Sequence, residues 1–291
     1  MPPTPLIAVD VGNARTKFGL FRAAPAGSGL PKPEKTLRLD NAGPLPARLA
    51  KWVAGIVAER AELPSPAAPL RAPTKGRSGK GDHRLRWYVA SVNRPAAGRL
   101  VDWLRAYRGG DPLVLLAAGD LPLEVRVPRP DMVGVDRLLD ALAANRLREP
   151  GRPAVVVDVG SAITVDLVSA DGAFLGGAIM PGIAMSARAM HEFTDLLPWI
   201  DAAELRKPPA ALGTGTEPAM RSGLYWGAVG GVRQLIEQLA PGEQPQVFLT
   251  GGAGPAVARR LGRSGQHVPH LTLAGIALAA GLGQRPPRPL R

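Results

Sequence analysis

The sequence predicts an α/β protein built from two related halves, and two observations carry that prediction. A short phrase occurs twice, 148 positions apart, as Asp10-Val11-Gly12-Asn13-Ala14-Arg15-Thr16 and Asp158-Val159-Gly160-Ser161-Ala162-Ile163-Thr164, identical at five of seven positions. Each copy follows an apolar, β-like run, Leu6 to Val9 or Ala154 to Val157. A repeat at half the chain length is too long for a solenoid period and points to two halves facing each other. Strand-like and helix-like periodicities also alternate along both halves, the pattern of an α/β fold.

Taken in order, residues 5–11 and 15–21 read as two strands joined by a Gly turn, a tight hairpin. An amphipathic helix near 46–60, a strand at 86–92, a helix near 95–107 and a strand at 113–116 follow. Asp136 to Arg148 is helical, with Leu138, Leu139, Leu142 and Leu147 at helical spacing. Glu149-Pro150-Gly151-Arg152-Pro153 breaks that helix and marks the boundary between domains 1–150 and 151–291. The second half repeats the order. It has a hairpin at 154–168, a strand at 173–179, helices at 182–193 and 218–238, a strand at 246–250 and a last helix near 271–282.

Composition narrows the chemistry. The 291 residues suffice for two domains with their own cores. Cys is absent, which removes disulfides, thiolate catalysis and Cys-ligated zinc and suits a reducing cytosol. The four histidines lack metal-ligand spacing. No secretion-type segment opens the chain, and the apolar stretch Leu271 to Leu282 is interrupted by Gly275 and Gly281 and too short for a bilayer, so a cytoplasmic protein without membrane attachment is expected. The net charge of +12 would suggest nucleic acid if it lay on one face. Much of it falls instead in a Pro-, Ser- and Gly-rich insert at 63–86 and in the tail 285–291, which have loop composition, so no nucleic-acid role is expected.

Each repeated phrase ends a buried strand on an acid and then turns at a Gly. Backbone N–H groups freed in such a turn hold phosphate oxygens while the carboxylate faces a metal ion. A Gly between any two hydrophobic runs also makes a hairpin, but two matched copies favour a nucleotide cleft between the halves. No G-x-x-x-x-G-K-[ST] run exists, which excludes a P-loop. A third Gly cluster, Leu249-Thr250-Gly251-Gly252-Ala253-Gly254, follows a β run, opens a helix and is a candidate for the adenosine end of a nucleotide. Asp136 and Arg137 sit at a helix start, where Asp136 can serve as a cap. The same placement lets the carboxylate take a proton from a substrate hydroxyl while the guanidinium binds an acidic substrate.

These motifs carry a resemblance to the type III pantothenate kinases, members of the acetate kinase, sugar kinase, Hsp70 and actin superfamily. The family's Asp-x-Gly-Asn-Thr-x-x-Lys is matched by Asp10 to Lys17, its Gly-x-Asp-Arg by Gly134-Val135-Asp136-Arg137, and its second phosphate motif by Asp158 to Asp166 with Ser161 for Thr. Its Gly-Gly-x-Ile-x-Pro-Gly stretch is Gly176 to Gly182, and Gly215-Thr216 with Ser222-Gly223 looks like its substrate-closing segment. The resemblance implies two similar ribonuclease H-like, actin-like ATPase domains with a nucleotide cleft between them. It also implies ATP-dependent phosphorylation of pantothenate to 4′-phosphopantothenate, the first step of coenzyme A biosynthesis.

Carried over by position, the resemblance makes Asp136 the general base toward the 4′-hydroxyl. Gly134, Val135, Asp136, Arg137 and Thr216 would bind pantothenate. Asp10, Val11, Gly12, Asn13, Ala14, Arg15, Thr16, Lys17 and Ser161 would bind ATP, with Asp10 reaching Mg²⁺ through water. Asp158 would hold a monovalent cation, K⁺ or NH₄⁺, and the site would be completed across a homodimer interface. Ala14 lacks the family's Thr hydroxyl, and Val127 stands where a pocket Tyr is often found. The alternative is a non-catalytic transcriptional accessory homologue of the same fold, which would not need Asp10, Asp136, Arg137 and Asp158 together.

Overall fold

The apolar runs that begin the two repeats become the central strands of two five-stranded sheets. A computed structural model describes residues 4–22, 29–43, 46–62, 84–261 and 265–281. The first sheet contains β1 (Leu6–Val11), β2 (Arg15–Phe21), β3 (Lys35–Asp40), β4 (Arg86–Ser91) and β5 (Leu113–Leu115), in the order β3-β2-β1-β4-β5. The second contains β6 (Ala154–Val159), β7 (Ala162–Val168), β8 (Phe174–Pro181), β9 (Gln246–Thr250) and β10 (Gly265–His267), in the order β8-β7-β6-β9-β10. In both, the first three strands pair antiparallel and the last two join in parallel. The two sheets therefore share one topology, and the repeated phrase occupies the same turn in each.

Burial explains the strand patterns. Every residue of β1 is buried, as expected of a central strand covered on both faces. The edge strand β3 has only Leu39 buried, and its charged, short sequence gives little periodic signal.

Among the described residues seven α-helices accompany the sheets: α1 (Pro46–Glu62), α2 (Arg94–Arg108), α3 (Val135–Leu147), α4 (Ile183–Glu192), α5 (Thr216–Leu239), α6 (Gly254–Leu261) and α7 (Leu271–Ala279). Asn93 caps α2 by accepting from the Ala96 N–H at 3.1 Å, and Pro95 occupies the first turn, where no intrahelical donor is needed. The last helix of each half reaches the other sheet: α3 packs on β6 and β7 as well as on β4 of its own sheet, and α7 packs on β1, β2 and β4. The two also pack on each other, and a Cβ at Gly275 would lie 2.2 Å from the Leu139 carbonyl oxygen, so the crossing requires glycine. Leu138, Leu139, Leu271 and Ile276 from this pair join Leu6, Ala8, Ala154 and Val156 in one buried cluster that unites the sheets. Each fully buried Leu or Ile there contributes about 1.5–3 kcal/mol relative to exposure. Separate clusters fill the outer faces of the two sheets.

Residues 63–83 of the expected insert and the tail 285–291 lie outside the described residues. At the end of that span Leu85 is fully buried and Arg86 opens β4. The last helix stops at Ala279 rather than near 282. Among the described residues no helix is long and apolar enough to cross a membrane.

Candidate active site

The turn after β1 is held from behind. The Asn41 side-chain amide donates to the carbonyls of Gly12 (2.7 Å) and Asn13 (3.2 Å), and Asn93 donates to Asn13 at 3.0 Å. The backbone carbonyl of Ala14 accepts from the Asn41 N–H, and Thr16 donates its hydroxyl proton to the Asn41 side-chain oxygen. With its carbonyls engaged and the Gly12 N–H bonded to Arg15, the turn keeps the amides of Asn13 and Ala14 as donors for phosphate oxygens. Ala14 lacks a hydroxyl but offers this N–H. Asn41 and Asn93 were not singled out by sequence; Asn93 could have been found as the helix cap before Arg94-Pro95, and Asn41 carries only the weaker signal of Asp-Asn-Ala-Gly after a strand.

The two hairpins differ by one residue, and that difference sets the charge pattern. Across the first, Asp10 stands opposite Lys17, and the pair makes a 2.9 Å ion pair with Asp10 only 5% exposed. Across the second, Asp158 stands opposite Thr164, because the turn is one residue shorter. Asp158 thus gains no lysine of its own, and its Oδ1 is buried without a hydrogen-bond partner. Gly251, at φ +87°, lies beside it; a Cβ there would sit 2.2 Å from that oxygen. The third Gly cluster is therefore built against the second carboxylate, while Ser161 is exposed at its turn and its carbonyl accepts from Gly182.

From α3, Asp136 reaches the same region. Its Oδ1 accepts from the Arg137 N–H at 2.8 Å, and a Cβ at Gly134 would lie 2.6 Å from it, so Gly134 gives this carboxylate its room. Arg137 pairs with Asp166 of β7 through Nε, at 3.1 Å to both carboxylate oxygens, and through Nη2, while its guanidinium lies 5.6 Å from the Phe174 ring centroid. Gly177, opposite Asp166 on β8, is required by the same packing, since a Cβ there would meet the Val165 carbonyl at 2.1 Å. Asp140, one turn along α3 from Asp136, is 3% exposed and was not singled out; nothing in its helical spacing distinguishes it from a core position.

The carboxylates Asp10, Asp136, Asp140, Asp158 and Asp166 meet two cationic side chains, Lys17 and Arg137. Burial, reinforced by Asp10, raises the Asp136 pKa above the ordinary aspartate value against the Arg137 N–H. Burial pushes Asp158 up to about 6, with Lys17 opposing and Asp10, Asp136 and Asp166 adding to the shift. Burial and then Asp158 raise Asp140, and burial raises Asp166 against its bonds to Arg137. For Lys17 burial acts downward, yet Asp10, Asp158 and Asp140 outweigh it and keep the ammonium charged.

Such a surplus of buried carboxylate oxygen, some of it unpartnered, fits oxygen-ligated cations. Among the described residues no three His, Cys, Asp or Glu side chains form a ready metal cage. A divalent ion would therefore share its shell with phosphate oxygens and water. Thr216 stands apart from this group: it opens α5 and lines a cavity of about 510 Å³ with Met180, Pro181, Ile183, Met190 and Leu197, and none of the five carboxylates borders it.

The fold agrees with that of solved structures to which this chain is similar. In a structure of a Baf family transcriptional activator from Campylobacter jejuni, 18% identical, the match covers 94% of this chain and 97% of that one with a TM-score of 0.54. The activator of the 2-hydroxyisocaproyl-CoA dehydratase from Clostridium difficile, solved with bound ADPNP, matches at TM-score 0.50 and 12% identity over 96% and 94% of the two chains. At those identities the likeness concerns the fold alone. By sequence, a type III pantothenate kinase from Acidiphilium cryptum is 40% identical over 58% of this chain and 63% of its own length. A type III pantothenate kinase from Dehalococcoides mccartyi is 33% identical over 96% of this chain and 98% of its own. The type III pantothenate kinase family model matches residues 72–238, which include Asp136, Arg137, Asp158 and Asp166, and the chain belongs to that family.

Proposed function

We propose that Asp136 is the general base in the reaction that family membership gives this chain, the ATP-dependent phosphorylation of pantothenate to 4′-phosphopantothenate in coenzyme A biosynthesis. The observation that carries the assignment is the setting of Asp136, a half-buried carboxylate at the start of α3 whose proton affinity is raised by burial and by Asp10. A raised pKa makes a carboxylate a better proton acceptor.

In this reading the Asp136 carboxylate takes the 4′-hydroxyl proton as that oxygen bonds to the γ-phosphorus, and the bond to the bridging oxygen of ADP breaks. The amides of Asn13 and Ala14 hold phosphate oxygens, with Lys17 beside them fixed by Asp10. When bound, Mg²⁺ and a monovalent cation supply neutralisation of phosphate charge, with Asp10 placed to hold the first through water and Asp158 the second. Arg137 commits Nε and Nη2 to Asp166, and its Nη1 is the guanidinium nitrogen assigned to the pantothenate carboxylate.

The same proposal divides the chain at 150/151, places it in the cytoplasm on its cysteine-free composition, and makes it a homodimer. The dimer is supported by Phe193, Leu196 and Leu212, each at least 80% exposed, which neighbour in sequence the lining of the Thr216 cavity. A partner seated there is the route by which Thr216 would reach a substrate that the same chain's Asp136 does not share with it.

An ADP-release assay with and without pantothenate, in K⁺ and then in Na⁺, tests the reading. We expect ADP only with pantothenate and much faster in K⁺. Activity indifferent to cation identity removes the role of Asp158, and no response to pantothenate favours the non-catalytic homologue.

A further inference from the structure

Asp140 is a buried acid for which the phosphoryl-transfer scheme has no use. It lies four residues after Asp136 on α3, is 3% exposed, and takes a side-chain hydrogen bond from Thr272 at the start of α7. Its Oδ1 has no hydrogen-bond partner. Asp158 is the charge that acts on it most strongly, followed by Asp136 and Lys17.

Lys17, the cation that acts on both Asp140 and Asp158, is already committed. Lys17 pairs with Asp10 at 2.9 Å, and the shortened second turn puts Thr164, not a lysine, opposite Asp158. Asp140 and Asp158 therefore each keep one buried, unpartnered carboxylate oxygen, and they interact with each other. Two buried carboxyl oxygens left without hydrogen-bond partners are costly unless a proton or a cation serves them.

We propose that Asp140 is a second carboxylate ligand of the cation site at Asp158, so that one monovalent cation is held between α3 and the end of β6. The inference rests on reading Asp158 as a cation ligand. The burial of Asp140 selects the kind of ion, because Mg²⁺ gives up its water reluctantly and demands octahedral geometry, whereas a larger, weakly hydrated ion tolerates a dry and irregular site. Gly251 keeps the flank of Asp158 Oδ1 free of side chain, which leaves room for such an ion.

Thermal unfolding of the nucleotide-free protein tests this, with KCl titrated against choline chloride at constant ionic strength. A ligand that binds only the folded state raises Tm in proportion to its saturation. The parent should gain stability with K⁺, and Asp158→Asn should not. Asp140→Asn should raise the half-saturating K⁺ concentration about tenfold or more, since affinity follows ligand charge, while its Tm in choline alone equals or exceeds that of the parent. Asp140→Ser serves where the amide does not fold. If the Asp140 variants follow the parent's K⁺ curve while Asp158→Asn loses it, Asp140 is no ligand and the Asp158 reading stands. A parent indifferent to K⁺ overturns both.

Discussion

Arg137 of α3 and Asp166 of β7 form a buried ion pair, with side chains 14% and 2% exposed, and through it the helix that carries Asp136 is fixed to the second sheet. The pair orients a guanidinium that would otherwise sweep a wide arc, and Gly177 makes the space for the carboxylate. Removing one member of a buried pair strands the other, at a cost of about 3–5 kcal/mol. Asp166→Ala should lower stability by that order and raise KM for pantothenate more than KM for ATP, measured by denaturant unfolding and steady-state kinetics. Equal changes in both KM values would mean that the pair only holds the fold.

Asp136→Asn should lower kcat by about 10²–10⁴ while ATP binding and fold survive, because the amide fills the same space but cannot take the proton. The pH profile checks the same residue. Its folded pKa is raised, so kcat/KM of the parent should fall as pH drops, with the acid limb above the ordinary aspartate range, and the variant should lose that limb. Folded Asp136 also holds its proton to higher pH than the unfolded chain does. The sign for stability is thus opposite: its contribution declines as pH rises from the unfolded value toward the folded one.

Gly251→Ala should impair cation response without touching any charge. The left-handed φ costs a non-glycine residue about 1–2 kcal/mol, and the new methyl group would crowd Asp158 Oδ1. Isothermal titration with an ATP analogue in K⁺ and in choline should show the K⁺ advantage lost. A variant that binds with the parent's K⁺ advantage would separate the third Gly cluster from the cation.

The exposed apolar side chains after α4 give a prediction about assembly. Light scattering should find a dimer, and the double variant Phe193→Glu with Leu196→Glu should be monomeric and nearly inactive if Thr216 serves the partner's site. A monomeric parent with full activity would contradict the shared site.

Much of this was legible in the sequence because the repeated phrase is a strong constraint: an acid at the end of a buried strand and a Gly turn define the hairpin, and both copies fold as read. The alignment concealed the single-residue difference in turn length, since Thr16 and Thr164 match in the phrase while the register sets Lys17 and Thr164 opposite the two acids. The edge strands β3 and β10 carry few buried residues and so left little periodicity. Asn41 and Asn93 act through side-chain bonds to a distant turn, and Asp140 acts through burial beside Asp158. Both are tertiary relationships that no local spacing encodes.

The most direct test is mass-spectrometric detection of 4′-phosphopantothenate from pantothenate, ATP, Mg²⁺ and K⁺, with the parent and Asp136→Asn side by side. We expect product in step with ADP from the parent and only a trace from the folded variant. Product formation by the variant within a few-fold of the parent would show that Asp136 caps α3 and that another group accepts the proton.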